Sequence, residues 1–327
     1  MRERNLWAVA ALVAALGLAP LPAAGQAAAE RWTLPRTPDG QPDLQGIWSF
    51  ATITPLERPN RYAGREELTA EEVAEANQAA ETRASSDRRA DLTPDQDVAL
   101  AYNQFWWDRG SSTGRTSLIV DPPDGRVPAK TAAAQARIDA DRAARGRDAW
   151  GPEDRGGAER CLQYRPQPRL PTGYNNHHLI LQPPGYVVIL TEMIHNVRVI
   201  PLDDRPHVDD NIRLLSGDSR GHFEGDTLVV ETTNFSDTLP FQGSGANRRL
   251  VERFTRTDED TIYWRFTVED ETAWARPWAA ELPFTKVEGP LYEYACHERN
   301  YGMENLLVSA RAVEQPTTDA ALDNRAR

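Results

Sequence analysis

The sequence predicts a mainly β protein: an antiparallel, barrel-like sheet with helical additions toward its N-terminal side. Two observations carry that expectation. Beyond Cys161 the chain becomes a succession of short β-branched and aromatic runs punctuated by Gly, Pro, Asn and Asp, the texture of strands joined by tight turns. Within one run, TIYWRFTV, the apolar Ile262, Trp264, Phe266 and Val268 alternate with Thr261, Tyr263, Arg265 and Thr267, which sets one face of a strand for burial and the other for solvent. About eight to ten such runs follow one another. So many antiparallel strands must cover or close their edges, as a sandwich or as a barrel. No repeat of fixed period points to a propeller.

Each element has its own signal. A basic start, an apolar run from Leu6 to Leu18 and small residues near Ala23 to Ala29 form the pattern of a cleaved secretory signal over residues 1–25. Pro20 and Pro22 interrupt the run well short of the roughly 20 apolar residues of a membrane span, and no later segment is apolar enough to provide one. The mature chain is therefore expected in the periplasm or secreted, as one β-rich domain over residues 42–310. In PDLQGIWSF a turn leads into a short strand with Gly46 and Trp48 on one face. Thr69 and Glu72 form a capping box, and Thr93, Pro94 and Gln96 start a second helix carrying Tyr102, Phe105 and Trp106 at helical spacing, so one helical insertion covers about 69–107. TSLIVD is a strand, PPDGRVP a turn, and an alanine-rich amphipathic helix covers 129–145. HHLILQ and YVVIL are joined by Pro183, Pro184 and Gly185; VRVIPLD follows; GHFEGDTLVVET holds a Gly225-Asp226 hairpin; PWAAELPF and LYEYAC close the run of strands.

Composition narrows the function. With 40% apolar residues and nine Trp the chain can build a substantial core. A net charge of -12 opposes a phosphate-backbone partner, which leaves a small molecule as the expected ligand and the oligomeric state open. Cys161 and Cys296 are the only cysteines; in an oxidising compartment they read as one disulfide, the alternative being two free thiols. The GIW at 46–48 resembles the start of lipocalin-like (calycin) barrels, which favours a barrel over a sandwich. PDLQGIWSF, VRVIPLDDRPH, GHFEGDTLVVETTNFSD, RPWAAELPF and YEYACHERNYGMEN together resemble a large family of exported bacterial proteins, with RCLQYRPQPRLPTGYNNHH marking a closer subgroup. The resemblance covers most of the mature chain, implies one coherent exported domain, and brings no activity with it.

The candidate site is read from residue chemistry. In TGYNNHH, Tyr174, Asn176, His177 and His178 cluster where a loop enters a strand. Strand neighbours face opposite ways, so only one histidine lines the interior, and His177 is the one chosen. Tyr164, Arg165 and Arg169 sit in a proline-studded strap that cannot be helical. In TEMIHNVRVI, read as a strand pair, parity places Glu192, Asn196 and Arg198 on one side and His195 on the other. Glu192 and Arg198 could then pair, or, with Asn196, Asn176 and the ring of Trp106, orient a polar ligand. A Cys161–Cys296 bridge would bring His297, Glu298, Asn300 and Tyr301 against Tyr164, Arg165 and His177.

Three chemistries fit such a cluster. The first is cofactor-free acid–base catalysis: His177 or His297 moves a proton, Tyr174, Tyr164 or Tyr301 supplies a second donor, and Arg165 holds an anionic oxygen. The second is a metal held by His177, His195, His297 and Glu192, for which no HExxH or HxH spacing speaks. The third is a carrier barrel walled by Trp106, Trp107, Trp264 and Trp274, with no chemistry done. No Gly-x-Ser-x-Gly elbow, phosphate loop or dinucleotide fingerprint occurs. The reading is a lyase, isomerase or hydrolase acting on a small organic molecule without a cofactor.

Overall fold

Alternation along the sequence becomes burial in the computed structural model, which describes residues 32–84, 93, 107–146, 149–298 and 300–314. The chain divides into Met1–Thr33 and Leu34–Arg327, and every strand and helix among the described residues belongs to the second. The expected secretory signal and the ring-bearing helical stretch with Tyr102, Phe105 and Trp106 lie outside the described residues.

Among the described residues ten strands form one antiparallel sheet: β1 (Gly46–Ser49), β2 (Ile119–Asp121), β3 (His177–Leu181), β4 (Tyr186–Thr191), β5 (Asn196–Pro201), β6 (Asp218–Glu224), β7 (Thr227–Thr233), β8 (Arg249–Arg256), β9 (Thr261–Glu269) and β10 (Trp278–Val287). Nine run in the order β5-β4-β3-β1-β10-β9-β8-β7-β6, and β2 pairs with β10 beside β1. The two end strands meet through side chains where Arg198 donates to Ser219 at 3.2 Å, and just ahead of β6 Ser216 accepts from Asn196 at 3.1 Å. Gly221 lies so close that a Cβ there would stand 2.8 Å from Ile200 Cγ2. The result is a nearly closed, calycin-like barrel.

Turn chemistry sets the hairpins. Glu224 pairs with Thr227 across Gly225-Asp226, and Gly225 takes φ +60°, the geometry that two-residue hairpins require and glycine supplies without steric cost. At Pro183-Pro184-Gly185 the Tyr186 N–H donates to Pro183 O at 3.0 Å with Gly185 at φ +77°. The helices among the described residues are α1 (Ala70–Ala84), α2 (Ala132–Arg145) and α3 (Tyr301–Glu314). The capping box forms as the sequence implies: Thr69 N–H donates to Glu72 Oε2 at 2.8 Å, and Glu72 N–H donates to Thr69 Oγ1 at 3.2 Å. The helix expected from 129 begins at Ala132, because Thr131 caps it by accepting from the Ala134 N–H. Two corrections arise near the C-terminus. LYEYAC is not a strand, since β10 already ends at Val287 and residues 291–296 join no ladder. Behind it lies α3, capped where Asn300 Oδ1 accepts from the Met303 N–H at 3.2 Å.

The barrel interior is apolar over most of its length. Trp48, Phe50, Ile180, Ile189, Ile200, Leu250, Phe254, Trp264, Phe266 and Phe284 belong to one buried cluster. Trp48 donates its indole N–H to Leu44 O at 2.9 Å, and the Arg256 guanidinium lies 5.3 Å from its ring centre. β9 behaves as its alternation demands: Ile262, Trp264, Phe266 and Val268 are buried and Tyr263 and Arg265 exposed. Toward one end the interior turns polar, with His178, Thr191, Arg198 and Glu252 all buried. The candidate site stands on the rim of that same end.

Candidate functional site

His177 and His178 open β3 and face opposite ways, as strand geometry requires. The structure reverses the choice between them for the interior. His178 is the inward residue, stacked 4.4 Å from Phe50 and bonded through Nδ1 to Thr191 Oγ1 at 3.0 Å. His177 turns outward and is half-buried at the rim. Its Nδ1 lies 2.7 Å from Glu192 Oε2, and its Nε2 lies 3.9 Å from Asp108 Oδ2. The Glu192–Arg198 pairing expected from parity does not form. The reason is local: β4 ends at Thr191, and the chain turns through Glu192–His195 before β5 starts at Asn196, so the residues on either side of the turn do not belong to one strand.

That turn is strained. Ile194 sits at φ +56°, ψ +36°, and His195 at φ +36°, a region that a β-branched residue rarely enters. Each such residue costs on the order of 1–3 kcal/mol and persists only when its surroundings enforce it. Here the turn places the Glu192 carboxylate, 7% exposed, against His177 while the Glu192 N–H donates to His177 O at 2.9 Å. Asp108 arrives from a loop of its own. Its N–H donates to Gly173 O, and Asn176 holds it by donating Nδ2 to Asp108 O at 2.7 Å. Asn176 also accepts from the Thr172 N–H and donates to Thr172 O, so its amide braces the loop. Nothing in the sequence pattern singles out Asp108, which lies outside any periodic segment.

The electrostatics of the three groups are coupled. The hydrogen bond to Glu192 raises the His177 pKa above its ordinary value, against the opposing effect of burial, and the charges of Glu192 and Asp108 add to the rise. Burial alone would push Glu192 up, but hydrogen bonds from His177 and Asn175 bring it below the usual glutamate value. Asp108 is pushed up, first by burial, although the charge of His177 opposes this. Its Oδ2 is shielded and has no hydrogen-bond partner among the described residues. Glu192 thus fixes Nδ1–H of His177 and leaves Nε2 to exchange a proton. The 3.9 Å between Nε2 and Asp108 is too long for a direct hydrogen bond, yet one reacting oxygen beside the pair could reach both.

The disulfide joins Cys161 to Cys296 with Cα atoms 5.6 Å apart and gathers aromatic groups beside this centre. His195 bonds the Tyr294 carbonyl oxygen at 3.0 Å, and its ring lies 5.4 Å from that of His297. The Tyr294 phenol is pushed up by burial and by the neighbouring Tyr174 and Tyr164. Tyr174 packs edge-on against Trp107, at 6.1 Å between ring centres, and Arg165 lies over the Tyr164 ring. The crosslink therefore brings His297 to His195, Asn300 to Glu159 O at 2.8 Å, and the Tyr294 segment to Tyr164 and Tyr174. Glu298 is exposed, and Tyr301, at the start of α3, is 58% exposed. Asn196 bonds Ser216 at the barrel seam, Arg198 is buried against Glu252, and Trp264 and Trp274 belong to the core. No group of three or more His, Cys, Asp or Glu poised to hold a metal occurs among the described residues.

Reduction tests how far the rim depends on the crosslink. Cys161→Ser/Cys296→Ser is expected to lose about 2–4 kcal/mol of stability in urea titrations, with hydrogen exchange rising first in residues 291–298 rather than in β7–β9. No helix among the described residues is long and apolar enough to cross a membrane. No protein-family model matches the chain, and no curated protein matches it significantly.

Proposed function

We propose that this chain is an exported enzyme that moves a proton on a small organic molecule, with His177 as general base and acid, Glu192 as its orienting carboxylate and Asp108 as the second proton-exchanging group. The observation that carries the reading is the Glu192–His177–Asp108 line at 2.7 and 3.9 Å, in which one imidazole nitrogen is fixed and the other faces a raised carboxyl. The aromatic surroundings of Trp107, Tyr174, Tyr164 and Tyr294 offer flat apolar contact with polar tips, suited to a compact organic substrate. Lyase, isomerase and hydrolase chemistries can all use such a base. Beside His178 the interior gives the centre of a water-sized particle only about 10 Å³, which weighs against a carrier with its ligand inside the barrel. The disulfide supports a periplasmic or secreted location.

The test is proton exchange. Incubated in heavy water with a panel of small carbonyl carbon acids, the protein is expected to catalyse deuterium incorporation, read by mass spectrometry, for at least one ligand class. The pH dependence has a defined sign. The base must be neutral, so kcat/KM falls as pH drops through the His177 pKa, and because Glu192 raises that pKa the acid limb lies above the ordinary histidine value of about 6.5. In Glu192→Gln the limb moves to lower pH. NMR titration of the His177 ring gives the same answer without a substrate, and a midpoint at or below the free-histidine value, unmoved in Glu192→Gln, overturns the assignment.

A further inference from the structure

Behind His177, on the inner face of β3, a second polar cluster has no part in the chemistry above. Gln167, Arg169, His178, Thr191, Arg198 and Glu252 line a small interior chamber, closed on its other sides by Ile189, Phe254, Trp264 and Phe284. Two of its members are arginines and one is a carboxylate. Glu252 is fully engaged: it accepts from Arg198 Nη1 at 3.1 Å, from Arg198 Nη2 at 2.5 Å and from Trp264 Nε1 at 3.2 Å. Arg198 extends its remaining contacts to Ser219 and Thr232.

Arg169 is different. It is 2% exposed, and its Nε, Nη1 and Nη2 have no hydrogen-bond partner among the described residues. The strap from Cys161 carries it into the barrel end, and Arg165 on that strap adds positive potential rather than relieving it. Burial, then Arg198, then Arg165 lower the Arg169 pKa to about 10, so the guanidinium is still protonated at neutral pH. His178 cannot balance the charge, since burial first, then Arg169 and Arg198, hold it neutral. The lining therefore carries one positive charge more than its single carboxylate cancels. A buried cation with its donors unmatched is among the costliest arrangements a protein interior can hold.

We propose that this chamber is a binding site for one small monovalent anion of halide size, held by Arg169 and the positive field of Arg198. The centre of a water-sized particle has only about 10 Å³ to move in within the chamber, which suits one monatomic ion rather than an organic carboxylate. The anion would cancel the surplus charge, occupy guanidinium donors, and lock the strap to the barrel end on which the rim is built.

The experiment uses the intact mature protein exchanged into sodium gluconate, whose anion is too large to enter. At constant ionic strength, replacing gluconate by chloride or bromide is expected to raise Tm along a saturating curve, by about 5 °C at 100 times Kd. Fluorescence-detected melts of Arg169→Met, which keeps the side-chain bulk and removes the charge, should show no halide dependence. A bromide-soaked crystal of the unmodified protein should show anomalous density within hydrogen-bond distance of Arg169, and this arm stands even where the variant does not fold. Equal halide dependence in Arg169→Met, a flat Tm in the unmodified protein, or only a water at Arg169 in bromide overturns the proposal.

Discussion

Replacing His177 with glutamine is expected to lower turnover by about 10²- to 10⁴-fold, the usual loss on removing a positioned general base, while Tm changes little. The choice of glutamine matters because Glu192 is buried to 7% exposure and bonds His177 at 2.7 Å. Alanine would strip that carboxylate of a partner and add a folding penalty of roughly 1–3 kcal/mol, mixing two effects; an amide can still donate to Glu192. The readouts are kcat/KM for the exchanging ligand and a thermal melt on the same sample. Full activity in His177→Gln would remove the base from the mechanism. A collapse of Tm in step with activity would make the Glu192–His177 bond a brace for the strained Ile194 turn instead of a catalytic dyad.

The rim shows where sequence reasoning reaches and where it stops. Local rules were legible because a few neighbouring residues settle them: the capping box at Thr69 and Glu72, the Gly225-Asp226 turn, the alternation in β9 and the crosslink of the two cysteines all stand in the structure. The nearly closed barrel was legible too, since strands in such number must hide their edges. Glu192 pairs with His177 and not Arg198 for a reason of the same kind. Parity counts faithfully along one strand, but Ile194 and His195 enter left-handed backbone, and neither is the glycine that marks such a turn. His178 and His177 were told apart by neither chemistry nor spacing; register decides, by setting His178 opposite Trp48 and Thr191. Asp108 was invisible because its place beside His177 depends on contacts between Asp108 and Gly173 and between Asp108 and Asn176, more than sixty residues apart in the chain. The last segment misled in the opposite sense: LYEYAC alternates like a strand, whereas Asn300 caps a helix whose first turn holds Gly302, a weak helix former.

The buried polar end of the barrel makes the larger stability prediction. Glu252→Ala is expected to cost about 3–5 kcal/mol, because it leaves the Arg198 guanidinium buried without a countercharge. Arg198 and Glu252 side chains are 5% and 2% exposed, so solvent cannot compensate either one. The pair itself need not stabilise the fold: desolvating two charges offsets much of their attraction. The double variant Arg198→Met/Glu252→Gln should therefore recover most of the loss. Ser219 and Thr232 are not orphaned in it, since their hydroxyls already bond each other at 2.9 Å. The amide introduced by Glu252→Gln would still offer an oxygen to Trp264 Nε1, which bonds Glu252 at 3.2 Å. Urea titration of Arg198→Met, Glu252→Gln and the double variant gives the coupling directly. If the double variant is as unstable as Glu252→Ala, the cost lies in packing around Trp264 and Phe254, and the ion pair is not what that end of the barrel depends on.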